Sequence, residues 1–370
     1  MIGIRTARAD AAIESVEVSA YRIPTDYPES DGTIAWDSTT LVLVEAQSGG
    51  RIGIGYTYAD VSTATLIKET LAGVVQGKDA MSVGGAWIAM VHAVRNLGRP
   101  GVASMAISAV DNALWDLKCR LLDLPLCDLL GMVRESAPVY GSGGFTSYSR
   151  EQLEQQLGGW VHAGIPRVKM KIGRQPAADV ERVAWVREAI GPAAELFVDA
   201  NGAYSRKEAL AKARSFRALG VTWFEEPVPA DDLVGLNLMR DRGPAGMDIA
   251  AGEYGYQPAY FRRMLEAQAV DVLQADASRC GGITGLLQAA ALCEAYLVAL
   301  SAHCAPSLHV HAGCALDSFR HLEYFHDHVR IERMLFDGAL TPVDGAIAPD
   351  LTRPGFGLEF KHSDAVDFKV

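Results

Sequence analysis

Alternating apolar and polar positions open the chain, with Ile13, Val16 and Val18 marking a first strand and Leu41 to Glu45 a second. Ser48-Gly49-Gly50 then supplies a tight-turn signal before Ile52 and Ile54 resume the alternation, so the pattern predicts a hairpin and an antiparallel sheet. From Ser62 to about Met132 the apolar period lengthens to that of helices, including the run ASMAISAVDNALWDLKCRLL. Strands followed by helices predict an α+β unit.

Past Pro138 the rhythm changes, and short apolar strands alternate with helices. Ser149 with Gln152 and Ser205 with Glu208 both fit the capping box that starts a helix. Ala209, Ala213 and Phe216 form the stripe of a helix lying on a sheet, and Gly220 stands where it would stop. Strands placed at Val139, Val168, Leu196, Trp223, Asp248, Val272, Val298 and His321 give about eight βα steps. The expectation is an α/β fold with a closed TIM-like barrel. From about Leu335 the rhythm is lost again, which predicts a return to the N-terminal unit. The division expected is 1–135 for the α+β unit, 136–330 for the barrel and 331–370 for the returning segment.

Composition narrows the class of protein. The 370 residues are 49% hydrophobic and 21% charged, a globular balance without disordered bias. A net charge of -11 argues against a nucleic-acid partner and for a small-molecule enzyme or binder. The six cysteines form no CxxC pair and fit a reduced, cytoplasmic setting. The opening MIGIRTARADAAIESVEV lacks the apolar core of a signal peptide, and the most apolar later run is broken by Gln288 and Glu294, so no membrane partner is expected.

The chemistry lies at the strand ends. Strand VKMKIG carries Lys169 and Lys171 on one face, where two ammonium groups repel each other unless something negative meets them. Asp199, Glu225 and Glu253 each end an apolar strand, 26 and 28 residues apart, so they should stand on consecutive strands and converge. Three adjacent carboxylates cannot all ionise without a cation, and all-oxygen ligands favour a hard ion such as Mg²⁺. Singly, each has a plainer reading: Asp199 could open an Asn201-Gly202 turn, Glu225 and Glu226 could be a solvated helix start, and Glu253 could pair with a surface lysine. The joint spacing argues against those readings for the three, while Glu226 stays a solvated helix start. Further along, His303 falls across the barrel from Lys171, with Asp276 placed to orient its ring for acid–base work. His309 and His311 belong to no strand end and are read as structural.

The motifs KMK, VDAN, FEEP, GE, DASRCGG, SAH and LEY, in this order and with DNALWDLK ahead of them, span nearly the whole chain. In this order the chain resembles the enolase superfamily, specifically its mandelate racemase subgroup (mandelate racemase/muconate lactonizing enzyme-like). The resemblance implies a capping domain built from both chain ends over a modified (β/α)₇β barrel. It implies Mg²⁺ on Asp199, Glu225 and Glu253, Lys171 as one base, and the His303–Asp276 pair as acid/base on the opposite face. Lys169 and Glu323 would stabilise the enediolate formed when the proton alpha to a carboxylate is removed. Crowding by Lys169 and the metal should depress the Lys171 ammonium.

Within that resemblance the leading expectation is an acid-sugar dehydratase yielding a 2-keto-3-deoxy acid. A racemase or epimerase and a lactone cycloisomerase are the alternatives, and a sugar-acid binding protein is the non-enzymatic one. Substrate contacts are expected from cap loops at Tyr27 to Trp36 and Gly55 to Tyr58, with Asp31, Trp36 and Tyr56 as candidates, and from Asn201. The family also suggests a homo-oligomer.

Overall fold

The computed structural model describes residues 11–370, so the first ten positions of the expected N-terminal unit lie outside the described residues. Three antiparallel strands form the cap sheet: β1 (Ser15–Ser30), β2 (Ala35–Ser48) and β3 (Arg51–Tyr58). Gly49 and Gly50 both take positive φ between β2 and β3, as a two-residue hairpin turn requires. The first hairpin is much longer than the pattern predicted. After an irregularity between Pro24 and Glu29, β1 continues to pair with β2 as far as Ser30 opposite Ala35. The stretches expected to be cap loops are therefore mostly strand, and only the turn at 31–34 is loop.

The helix Val102–Leu122 packs against this sheet at close range. A Cβ on Gly55 would sit 2.2 Å from the Ala113 nitrogen, so only glycine allows the approach. The same helix docks the cap onto the barrel: Asn112 Nδ2 donates to the Ala277 carbonyl at 3.1 Å, and its Oδ1 accepts from the Ile283 N–H at 3.0 Å. Asp111 accepts from the Thr284 N–H at 2.9 Å, and Ser108 Oγ from the Gly281 N–H at 2.8 Å. The motif DNALWDLK thus grips the loop that follows Asp276.

Eight parallel strands follow: β4 (Ala137–Gly143), β5 (Arg167–Lys171), β6 (Glu195–Asp199), β7 (Val221–Glu225), β8 (Asp248–Ala251), β9 (Val272–Ala275), β10 (Ala299–Ala302) and β11 (Phe319–Phe325). They pair in chain order, and β11 returns to β4 with Leu322 opposite Val139, which closes the barrel. Two residues, Ala346 and Ile347, add an antiparallel extension to β4. Tyr140, Phe197, Trp223, Ala250 and Val272 plug the interior below the mouth. Asp199 and Glu225 follow Phe197 and Trp223 by two residues on the same inward faces, above this plug.

Ser149 forms the full capping box with Gln152. Ser205 makes only its own half, accepting from the Glu208 N–H, and the exposed helix start leaves its remaining donors to solvent. The helix His326–Leu335 runs across residue 330, so the expected boundary there falls inside one element. Beyond it, Lys369 bridges to Tyr21 of β1, and the Val370 N–H donates to the Ala20 carbonyl at 3.0 Å. No helix among the described residues is long and apolar enough to cross a membrane.

Candidate active site

Register alignment carries the strand-end charges to one level. Lys171 lies opposite Asp199, and Asp199 opposite Glu225, across consecutive strands. Lys169 Nζ sits 2.5 Å from Glu225 Oε1, 2.7 Å from Glu323 Oε1 and 3.7 Å from Asp199 Oδ2, fully buried. Lys171 Nζ contacts Asp199 Oδ2 directly. The negative partners that the two lysines demanded are thus three carboxylates from three other strands. Burial pushes Lys171 down, but Asp199, together with Glu253 and Glu323, holds the ammonium above its ordinary value. Lys169 lowers it as expected, and a cation held by the carboxylates would add to that lowering.

Asp199, Glu225 and Glu253 each turn one oxygen into a common space, all within 4.8 Å of one another. Trp223, two residues before Glu225 on the same face, donates its indole N–H to Glu225 Oε2 at 2.9 Å. Burial nevertheless pushes the Glu225 carboxyl up to about 8. Glu253 Oε2 is buried and has no hydrogen-bond partner among the described residues. An orphaned oxygen, a carboxyl driven toward its neutral form and an all-oxygen donor set together fit a hard divalent cation. The plainer reading of Asp199 holds at the same time. Its Oδ1 accepts from the Asn201 N–H at 2.8 Å, and Asn201 and Gly202 form a turn with positive φ, leaving Oδ2 to face the site.

On the opposite wall, His303 Nδ1 is 2.8 Å from Asp276 Oδ2, and Asp276 Oδ1 accepts from the Ser278 N–H at 2.7 Å. With Nδ1 bonded to the carboxylate, Nε2 is the nitrogen turned to the cavity, 3.5 Å from Glu253 Oε2. Burial lowers the imidazolium, but Glu253 and Glu323 lift it above its ordinary value. Burial also raises Asp276, yet its bond to His303 and the charges of His303, His309 and Arg279 together bring it well below the usual carboxylate range. His309, read as structural, braces this wall: its Nε2 accepts from the Ala277 N–H at 2.8 Å and its Nδ1 bonds the Cys304 carbonyl at 2.9 Å.

These side chains open on a cavity of about 340 Å³. Lys171, Asn201, Glu253, His303 and Glu323 line it from the barrel, and Asp31, Trp36, Ser38, Thr40 and Asp60 from the cap. Tyr56 does not reach it. Its ring is buried and its hydroxyl donates to Glu332 Oε1 at 2.6 Å, while Tyr58, two residues on, lines the cavity instead. Asp31 Oδ1 is occupied by the N–H groups of Thr33 and Ile34, so this carboxylate shapes the cap turn. Glu226 is buried, not a solvated helix start. Pro227 disfavours the helical region before it, Glu226 takes φ 38°, and the next helix begins only at Leu233.

Arg279 escaped the sequence reading, although it lies inside DASRCGG. Its Nη1 is 3.3 Å from Glu253 Oε1 and its Nε 3.6 Å from Asp276 Oδ2, so it ties the carboxylate cluster to the histidine wall. Ser142, which donates to Glu323 Oε1 at 2.6 Å, also went unread, because nothing distinguishes it from an ordinary strand serine.

Comparison with known proteins agrees with this fold. Residues 15–131 match the mandelate racemase/muconate lactonizing enzyme N-terminal domain, and residues 152–365 the enolase C-terminal domain-like family. A 3,6-anhydro-alpha-L-galactonate cycloisomerase of Streptomyces coelicolor is 34% identical over 94% of this chain and 96% of its own. An L-talarate/galactarate dehydratase of Salmonella typhimurium is 31% identical over 85% of this chain and 81% of its own. Among solved structures, a mandelate racemase/muconate lactonizing enzyme-like protein from Rubrobacter xylanophilus superposes with a TM-score of 0.95 at 57% identity, covering 97% of this chain and all of that one. A racemase from Streptomyces coelicolor with bound magnesium gives a TM-score of 0.91 at 32% identity, covering 97% of this chain and 100% of that one. The chain therefore belongs to the mandelate racemase/muconate lactonizing enzyme family of the enolase superfamily.

Proposed function

We propose that this protein is a Mg²⁺-dependent enzyme that removes the proton alpha to the carboxylate of a sugar acid and expels the oxygen on the next carbon. The observation that carries the reading is that Lys171 and the His303–Asp276 pair line one cavity beside the cluster of Asp199, Glu225 and Glu253. Magnesium bound in the Streptomyces coelicolor racemase supports the same ion here. When bound, it supplies Lewis-acid stabilisation of the second negative charge that proton removal places on the substrate carboxylate.

The chain's own residues divide the remaining work. Lys171 is the base for one face of the substrate. Asp199 belongs both to its ion pair and to the carboxylate cluster, so neutralising that cluster loosens the hold on the Lys171 proton. Lys169 keeps a positive charge on the barrel floor, shared with Glu323, where the enediolate develops its charge. His303, held by Asp276, protonates the departing oxygen on the other face.

The C2–H and C3–O bonds break, and the enol that forms gives a 2-keto-3-deoxy acid. If the departing oxygen is a hydroxyl, water leaves and the enzyme is a dehydratase, our leading assignment. If it is a ring oxygen that stays tethered, the product is an isomer, a reading favoured by the Streptomyces coelicolor cycloisomerase. Among the described residues the cap lines the cavity with hydroxyls and with Asp31 and Asp60 but with no lysine or arginine. A second carboxylate at the far end of a diacid would meet acids there, so the substrate is a monoacid with several hydroxyls. The six buried, unbridged cysteines suit action in the cytoplasm.

A panel of aldonic, anhydro-aldonic and aldaric acids, assayed with Mg²⁺ for keto-acid release, tests both points. The expected result is turnover of an aldonic or anhydro-aldonic acid, with kcat/KM at least about tenfold above any diacid. Turnover of diacids alone would overturn the monoacid assignment, and alpha-proton exchange with no keto acid would replace elimination by racemisation.

A further inference from the structure

Cys304 immediately follows His303 in a backbone conformation with φ 52° that few non-glycine residues adopt. That turn points its thiol back into the cavity, beside the ring it follows. Cys304 Sγ lies 3.3 Å from His303 Nε2 and 3.4 Å from Glu323 Oε2, and those two atoms are 3.7 Å apart. Zinc bonds of about 2.0–2.3 Å in a tetrahedron give ligand-to-ligand edges of about 3.3–3.8 Å. The three atoms already stand at the corners of one face of such a tetrahedron.

Three further features favour a dication at this point. All three residues are buried. His303 Nδ1 is held by Asp276, the arrangement that fixes a metal-binding imidazole with Nε2 free. Glu253 Oε2, buried and without a partner among the described residues, lies 3.5 Å from His303 Nε2 and adds negative charge beside the three donors. The donor set is nitrogen, sulfur and oxygen, unlike the all-oxygen cluster next to it, so the two sites prefer different ions.

We propose that His303, Cys304 and Glu323 form a second metal site, for a thiophilic divalent ion of the zinc class, whose occupation removes His303 from acid–base work and inhibits the enzyme. Binding displaces the thiol proton to solvent and occupies Nε2, the nitrogen that would otherwise carry a proton to the departing oxygen. The inhibitory consequence rests on the acid–base role proposed for His303; the site itself does not.

The test uses the whole protein saturated with Mg²⁺ and titrated with Co²⁺, then with Zn²⁺. Co²⁺ should add one equivalent with sulfur-to-cobalt charge-transfer absorption, which Zn²⁺ abolishes by displacement as activity falls to background. Cys304→Ser should lose the absorption and weaken zinc inhibition at least about tenfold, while Cys314→Ser, remote from the cavity, should keep both. Absence of the absorption in the Mg²⁺-saturated wild type, or equal zinc inhibition in wild type and Cys304→Ser, overturns the site. If Cys304→Ser fails to fold, the wild-type and Cys314→Ser absorption still decides the matter. Sulfur-bound cobalt without loss of activity upholds the site and instead contradicts the acid–base role of His303.

Discussion

The two walls of the barrel mouth hold their charges by different means. On the lysine wall, ammonium and carboxylate groups from β5, β6, β7 and β11 contact one another directly, and Lys169 alone is shared by Glu225 and Glu323. On the histidine wall, the Asp276 carboxylate is fixed by a backbone N–H and by the ring, and its loop is gripped from outside by the cap helix. Removing a charge from the first wall should redistribute electrostatics throughout it. On the second, the same change should disturb the orientation of one ring. The lesson is that a barrel mouth can tune charge on one side and geometry on the other.

The largest effect should come from the lysine wall. Chelation should take activity to background and Mg²⁺ should restore it, while Glu225→Gln should weaken Mg²⁺ affinity and cut kcat/KM by about 10²–10³-fold. A Mg²⁺ titration of activity beside a circular-dichroism melt checks both, since the barrel should stay folded. Full turnover without metal would remove the cation from the mechanism.

A smaller effect is expected on the histidine wall. On the proposed reading Asp276 positions the His303 ring, so Asp276→Asn should lower kcat by about 10–100-fold with little change in KM. A rise in KM at constant kcat would show that Asp276 binds substrate instead of orienting the ring.

The smallest effect concerns the outer brace of that wall. Burial pushes Asp111 up to about 7, so the folded state holds its proton more tightly than the unfolded chain does. Stability from this group is present at low pH and is lost as pH rises through about 7. Thermal melts should show Asp111→Asn losing less Tm than wild type between about pH 5 and about pH 8, with activity changed less than about threefold. Parallel Tm curves for the two proteins would mean that Asp111 is ionised in the fold.

The strand-end charges were legible because a βα step has a regular length, and Lys169, Lys171, Asp199, Glu225 and Glu253 obey it. The cap was not legible in the same way. Tyr56 and Tyr58 share a strand face, and alternation cannot say that one meets Glu332, 276 residues away, while the other meets the cavity. Glu226 was misread because charge next to proline resembles a helix start, whereas the backbone turns through a left-handed residue there. The dual role of Asp199, turn former and candidate ligand, needed both oxygens to be seen. Arg279 stood in a quoted motif, but only the fold reveals that its loop leans across to Glu253.

Lys171 and His303 are proposed to serve opposite faces of one substrate. This is tested most directly by following alpha-proton exchange in D₂O and keto-acid release together, for Lys171→Met and His303→Asn. His303→Asn should lose keto-acid release by about 10²–10⁴-fold and keep exchange with a substrate whose alpha proton faces Lys171, whereas Lys171→Met should lose that exchange. Turnover of both variants at wild-type rates would contradict the two-sided site.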